Sequence, residues 1–422
     1  MRVGFAGMTH LGVNSAAAAL ARGFQVTGYD PNGDAIAGLR RGEPNIVEPG
    51  LAEILRKHAA QANFTADLAE LSRCELVYIA PDVPTDDSGA SDLADIRRLI
   101  DAVSAVLAPS AVLVVLCQVP PGFTRALALP REKLFYQVET LVFGQAVERA
   151  THPERIILGC ADPAATRPKA LEAFLSAFAC PILPMRYESA ELAKIAINCC
   201  LVSSVSVANT LAELCESLGA AWPEIAPALR LDRRIGQHAY LAPGLGIAGG
   251  NLERDLATVC RLADEHGTDA GVVRAWIANS RHRRDWVLHA LYESVLSQLE
   301  DPVIAVLGLA YKQDTRSTKN SPSLALLADL APFRVRIYDP VVPVSEAAHP
   351  RRHAAASELD ACEGADALAV MTPWAQFGRL DPAQIARTLR GKLVLDPYAV
   401  LKGPACRAAG LDYRTLGLKA AT

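Results

Sequence analysis

The first thirty residues, MRVGFAGMTHLGVNSAAAALARGFQVTGYD, decide the fold. The apolar run Val3 to Ala6 is short enough for a buried strand. It breaks into Gly7-Met8-Thr9-His10-Leu11-Gly12, passes through an alanine-rich stretch from about Val13 to Arg22 that reads as a helix, and turns at Gly23. A second strand then ends at Gly28-Tyr29-Asp30. Strand, glycine turn, helix and strand, with an acid about twenty residues on, make the βαβ fingerprint of dinucleotide-binding folds. The first glycine permits the tight turn, the helix N-terminus meets a pyrophosphate, and Asp30 takes the ribose hydroxyls. Thr9 stands where the middle glycine is usual, and its Cβ is expected to crowd the pyrophosphate. Asp30 is followed by Pro31 and Asn32 with no basic residue, which favours NAD over NADP. The plainer alternative is a strand-turn-helix whose glycines serve packing alone.

Outward from this stretch the alternation continues, with strands expected near Leu76–Ala80, Val112–Cys117 and Arg155–Gly159. The first two run into proline-containing loops, VPTDDSG and QVPPGFT, which hold Thr85 and Gln118. In a doubly wound sheet, loops at the carboxyl ends of strands line the ligand crevice. A long uninterrupted helix is expected from Ser189 to Gly219, entered after Pro184, with apolar residues at near-helical spacing. Lys194 and Asn198 sit four apart on one face of it, so their side chains are neighbours. A lysine on so apolar a rod must find a partner, snorkel to water or do chemistry. Then comes YLAPGLGIAGGNLERD, residues 240–255, whose glycines let backbone amides approach a ligand.

Residues 222–290 read as further helices, with the arginine-rich ANSRHRRDW taken as a solvated face. After about residue 300 the α/β pattern restarts: PVIAVLGLAYK, SLALLADL, RVRIYDP, ADALAVMTPW and KLVLDPY read as strand-turn, helix and three strands. The expected fold class is α/β, with two Rossmann-like parallel-sheet domains joined by a long helix and a helical dimerisation core. The expected divisions are 1–185, 186–298 and 299–422. At 422 residues the chain is too long for one core. A net charge of −4 gives no nucleic-acid signature. Ten cysteines without a CxxC pair argue for reduced thiols in a cytoplasmic protein, with no metal site. MRVGFAG is too short an apolar run for a signal peptide, and no membrane span is expected.

The chain resembles the UDP-glucose/GDP-mannose dehydrogenases along nearly its whole length. The residues that carry the resemblance are GMTHLG, EPGL at 48–51, VPT at 83–85, VPPG at 119–122, PERIILG at 153–159 and AELAK with Asn198. They continue with RIG at 234–236, YLAPGLG at 240–246, GLAYK at 308–312, NSP at 320–322 and IYDP at 337–340. The resemblance implies an NAD domain, a helical dimer core and a second α/β domain that grips the nucleotide of a nucleotide-diphosphate sugar. Members of the family oxidise a sugar CH2OH twice, to a carboxylate, through a cysteine-bound thioester. By this resemblance Lys194 matches the catalytic lysine, Asn198 the oxyanion asparagine, Asp255 the acid near the nucleophile, and Glu139 the first glutamate of the substrate loop. Lys319 falls at an NAD-binding arginine. Arg234 matches an arginine reaching across a homodimer to the substrate, and Lys312 a substrate lysine. Thr140, Leu141, Tyr240, Leu241 and Gly249 are further candidates for the sugar nucleotide. Gly7, Met8, Thr9, His10, Leu11, Gly12, Asp30, Thr85 and Gln118 are the candidates for NAD.

The departures matter most. Where the family reads GGSCFPKD this chain reads AGGNLERD, so Asn251 occupies the place of the nucleophilic cysteine. The second glutamate of the substrate loop is Phe143, and the threonine of the STVP loop is Gln118. An amide nitrogen is delocalised and cannot form a thioester. Three functions remain open, in this order. The first is a single two-electron oxidation to an aldehyde or keto sugar. The second is a redox-neutral epimerase that retains NAD. The third is a non-catalytic homologue that binds nucleotide sugar or NAD.

Overall fold

The computed structural model describes residues 1–84 and 91–420. The chain folds as two compact units, Met1–Ile197 and Asn198–Thr422. The first is built on eight strands: β1 (Arg2–Ala6), β2 (Gln25–Tyr29), β3 (Ala62–Thr65), β4 (Leu76–Ile79), β5 (Val112–Val115), β6 (Leu134–Gln137), β7 (Ile156–Cys160) and β8 (Ile182–Arg186). Their order is 3-2-1-4-5-6-7-8, parallel throughout except where β7 runs against β6. The helices are α1 (His10–Ala21), α2 (Gly33–Arg40), α3 (Leu51–Lys57), α4 (Ala94–Val106), α5 (Ala146–Thr151) and α6 (Lys169–Ser176).

β4 and β5, read as LVYI and VLVV, are buried at every position, as strands covered on both faces must be. The alanines of α1 let that helix lie close, and Ala16, Ala17 and Ala19 are fully buried. Strand order reverses between β1 and β4, the switch point at which open α/β sheets bind ligands. The fold class is the one the sequence leads to.

The long helix α7 (Tyr187–Leu218) has 32 residues and so spans about 48 Å. It starts two residues earlier than expected, directly after β8, and Pro184 lies inside that strand. β8 ends the sheet, and an edge strand tolerates proline's missing donor. Gly219 ends the helix as expected, at φ +79°. Among the described residues α7 is long and apolar enough to cross a membrane by length and composition, a test that the core helix of a soluble protein also passes. The physical reason is that no charge or helix breaker occurs between Lys194 and Glu213.

In the second unit the rest of α7 is followed by α8 (Trp222–Leu231), α9 (Asn251–His266), α10 (Gly271–Arg284) and α11 (Trp286–Leu291). Val202 of α7 shares an apolar cluster with Ile247, Leu256, Cys260 and Val273. Ala208, Ala212 and Cys215 pack with Trp222, Ala226 and Leu241. A parallel sheet of β9 (Val303–Leu307), β10 (Arg334–Tyr338), β11 (Arg352–Ala354), β12 (Ala367–Val370), β13 (Leu393–Leu395) and β14 (Asp412–Arg414) follows, in the order 11-10-9-12-13-14. The flanking strands β11 and β14 were not expected from sequence, being three residues long. The arginine cluster is not simply a solvated face. Arg283 is 1% exposed and pairs with Glu216 at 2.8 Å, and burying its charge requires that partner.

Candidate active site

The glycine turn of the first unit is built as a dinucleotide cradle requires. Gly7 has φ +94°, and a Cβ there would lie 2.7 Å from the backbone nitrogen of Pro81. A Cβ on Gly12 would meet the Gly7 carbonyl at 1.8 Å, so α1 can approach the turn only without one. Asp30 anchors this turn from the end of β2. Its carboxylate accepts from the Met8 N–H at 2.8 Å and the Asn32 N–H at 2.9 Å, and a carboxylate has lone pairs left for ribose hydroxyls.

Thr9 caps α1 without a side-chain capping bond. Its hydroxyl instead accepts from the Asp82 N–H at 2.8 Å, while the Asp82 carboxylate accepts from the His10 N–H at 3.1 Å. The residue in the middle-glycine position therefore ties the turn to the loop after β4. Leu11 is buried in the core behind it. Gln118 is half-buried just beyond β5. Thr85 lies outside the described residues.

A second polar centre, not anticipated from sequence, is Glu48. Its buried carboxylate accepts from the Gly144 N–H at 3.0 Å and the Ala146 N–H at 3.2 Å, and pairs with His10 Nε2 at 2.7 Å. The Phe143 ring lies 4.1 Å from that imidazole, centroid to centroid. Phe143, where the family has a glutamate, thus covers the His10–Glu48 pair. The only sequence signal was the EPGL landmark itself.

The loop between these points carries Glu139, Thr140 and Leu141. Arg149 donates to the Thr140 carbonyl at 2.9 Å, and the Leu141 N–H bonds to the Glu139 carboxylate. Lys194, on α7, has found its partner: Nζ lies 3.4 Å from Glu139 Oε2, with the lysine side chain 10% exposed. One turn earlier, fully buried Glu191 accepts from the Gly122 and Thr124 N–H groups at 2.6 and 2.8 Å. Burial pushes its carboxyl pKa up, and those bonds only partly offset it. Glu191 therefore fixes the loop after β5 against α7, a positioning role that sequence reading missed.

In the second unit α7 continues with Asn198, whose amide donates to Asp255 Oδ2 at 2.5 Å. Asp255 is 1% exposed, and Arg254 Nε lies 3.5 Å from its other oxygen. Asn251 is exposed and forms the first residue of α9 after Gly250. Gly249 has φ +82°, donates to the Lys319 carbonyl at 3.1 Å and accepts from the Asn320 side chain at 3.1 Å. Lys319 is half-buried, as is Lys312, whose Nζ stands 5.9 Å over the Tyr311 ring. Arg234 is exposed and held by Asp232, with contacts of 2.6 and 3.0 Å. Tyr240 is exposed. Leu241 is buried with its carbonyl bound to Trp222 Nε1 at 2.7 Å.

A cysteine at position 251 would stand at a helix N-terminus, where a thiolate is stabilised. Within this unit, Cys199 has its thiol pushed up to about 11, first by burial and then by the Asp255 carboxylate. It faces the apolar cluster around Val202 and is no substitute nucleophile.

Three family models match the chain in order: the NAD binding domain over residues 1–178, the central domain over 188–281 and the UDP binding domain over 305–403, all of the UDP-glucose/GDP-mannose dehydrogenase family. A UDP-glucose 6-dehydrogenase of Pseudomonas aeruginosa is 32% identical over 443 residues, covering 99% of this chain and 97% of that one. The chain belongs to the UDP-glucose/GDP-mannose dehydrogenase family.

Among solved structures, a UDP-glucose dehydrogenase from Pyrobaculum islandicum superposes with a TM-score of 0.86 at 27% identity, covering 99% of this chain and 98% of that one. A UDP-D-ManNAc dehydrogenase from Pyrococcus horikoshii shares the fold, with a TM-score of 0.85 at 24% identity over 99% of both chains. This family member is accordingly an NAD-dependent oxidoreductase of the nucleotide-sugar dehydrogenase type. The Gly7–Gly12 turn and Asp30 fit NAD.

Proposed function

We propose that the protein oxidises one hydroxyl of a nucleotide-diphosphate sugar in a single two-electron step and does not carry it on to a uronic acid. The observation behind this reading is Asn251 at the head of α9, where the family's nucleophile stands, with Cys199 turned into an apolar cluster. Without a thiol the first carbonyl product is not trapped as a thiohemiacetal. It can only hydrate, return or leave. Phe143 adds to the effect by placing a ring where a carboxylate would help activate water.

NAD, when bound, accepts the hydride. The remaining work falls to the chain. Lys194 is assigned the proton of the reacting hydroxyl, and the Lys194–Glu139 contact at 3.4 Å supports that assignment. Asn198, one helical turn on, is assigned to steady developing negative charge. Its bond to Asp255 fixes its orientation. Gly7, Met8, Thr9, His10, Leu11, Gly12, Asp30, Gln118 and Lys319 are read as cofactor residues. Thr140, Leu141, Arg234, Tyr240, Leu241, Gly249 and Lys312 are read as sugar-nucleotide residues, and the UDP binding domain over 305–403 supports the last of these.

The three-part division at 185 and 298 is retained, since the family models match three successive stretches. The protein is read as a homodimer. Along α7 Leu192, Val207, Leu211, Leu214 and Leu218 are exposed, with Leu218 at 77%. Val207, Leu211, Leu214 and Leu218 fall on one face of the helix, and an exposed apolar stripe of that kind supports an interface there. Ten cysteines, none of them in a disulfide, agree with a reducing, cytoplasmic setting.

The test is product analysis after incubating the purified protein with NAD and UDP-glucose, UDP-N-acetylmannosamine or GDP-mannose. An aldehyde or keto sugar with NADH is expected. An isomerised sugar without NADH would instead identify an epimerase, and ligand stabilisation without turnover a non-catalytic binder.

A further inference from the structure

Glu139 does more than meet Lys194. It also borders a cavity of about 70 Å³ in the first unit, set between the sheet and the helices α1, α5 and α6. Its lining mixes apolar residues such as Phe5 and Phe174 with Ser15, Gln137, Glu139 and Arg149, and the Tyr78 hydroxyl donates to Gln137 at 3.1 Å. At roughly 30 Å³ per water, such a volume takes about two waters, and water stays only where polar partners are at hand. Ser15, Gln137, Glu139 and Arg149 can supply them.

The oxidation proposed above, on which this inference rests, releases one proton per turnover, and Lys194 is nearly closed off from solvent. Its ion-pair partner is Glu139, held by the Leu141 N–H. We infer that Glu139 is a proton relay, passing the proton from Lys194 into this cavity, whose waters deliver it to solvent.

The steps balance. The Lys194 ammonium gives a proton to the Glu139 carboxylate, and the resulting carboxylic acid gives it to a cavity water. The neutral amine then takes the proton of the sugar hydroxyl. As that O–H bond breaks, its electron pair forms the C=O bond, and the C–H pair leaves as hydride to NAD, which is reduced to NADH. Lysine and glutamate return to their starting charges, and one proton reaches solvent for each NADH.

The cavity can be filled without touching Glu139 or Lys194, because Ser15 and Ala18 of α1 line it. Ser15→Leu and Ala18→Leu are made in the full chain and assayed with NAD and whichever of UDP-glucose, UDP-N-acetylmannosamine and GDP-mannose the unmodified protein oxidises. Turnover is expected to fall about tenfold in both, with a larger solvent deuterium isotope effect, while NAD affinity and melting temperature stay close to those of the unmodified protein. Glu139→Gln should show the same rise in isotope effect, with Glu139→Asp recovering part of the rate. Should one filled variant fail to fold, the other decides.

Filled variants that turn over normally with an unchanged isotope effect would overturn the relay. Variants that lose NAD binding or melting temperature in step with turnover would also overturn it, by showing a packing role. A failure of the oxidation reading is seen separately, as no NADH from the unmodified protein with any of the three sugars, and the relay falls with it.

Discussion

Glu48 offers a quantitative test of the site's construction. Its side chain is fully buried and serves three donors: the N–H groups of Gly144 and Ala146 and the His10 imidazole. Glu48→Ala removes the acceptor and leaves the donors in place. A buried donor left unsatisfied costs about 1–3 kcal/mol. The Ala146 N–H is buried and takes about 2 of these, and the half-buried Gly144 N–H about 1. The imidazole turns partly to water and adds less than 1 kcal/mol. The total is about 3 kcal/mol, which in urea, at a slope of about 3 kcal/mol/M for a unit this large, lowers the unfolding midpoint by about 1 M. Glu48→Gln keeps one acceptor oxygen and should lose about half as much. Because the same carboxylate ties α1 to the Thr140–Gly144 loop, the Ala variant should also raise KM for the sugar nucleotide. An Ala variant that unfolds within about 0.3 M of the unmodified protein, with unchanged KM, would refute this account of the site.

Further outcomes follow from the same structure. A 2′-phosphate placed about 4 Å from the half-buried Asp30 meets a repulsion between about 1 and 4 kcal/mol. NAD should therefore bind about thirtyfold more tightly than NADP, and calorimetry showing equal affinities would remove Asp30 from the ribose. Lys194→Ala should lower turnover on the order of a hundredfold. A lysine serving only structure would instead lower stability and leave turnover per folded molecule intact. Sedimentation should show a dimer at micromolar concentration, with Leu214→Glu on the exposed stripe of α7 shifting it to monomer. A fully active monomer would contradict the shared site.

Much of this was legible before any coordinates. The βαβ stretch pointed to the sheet and to a dinucleotide, and the other family landmarks decided between that reading and glycines that serve packing alone. The same device recurs in the second unit: Gly308 has φ +98°, its N–H meets the Tyr338 carbonyl at 2.8 Å, and Asp339 accepts from Leu309 at 2.6 Å. That repetition is why the restart near residue 300 could be read. What stayed hidden depends on distant pairing. His10 and Glu48 are 38 positions apart, and Glu191 reaches Gly122 across 69, separations that no local period reports. The burial of Arg283 was hidden for the same reason, since its partners Glu213 and Glu216 lie on α7. The strands β11 and β14 were missed because RHA and DYR carry no apolar run, unlike the equally short LVL of β13.

The central claim is the single oxidation, and the most direct measurement is the count of NADH formed per sugar consumed by the unmodified protein. Hydroxylamine in the assay captures any carbonyl product and draws the reaction forward, and mass spectrometry identifies what has formed. With Asn251 in place of a thiol, one NADH should appear per nucleotide sugar, with the product recovered as an oxime and no nucleotide-linked uronic acid. Two NADH per sugar, accompanied by a uronic acid of the expected mass, would contradict the account.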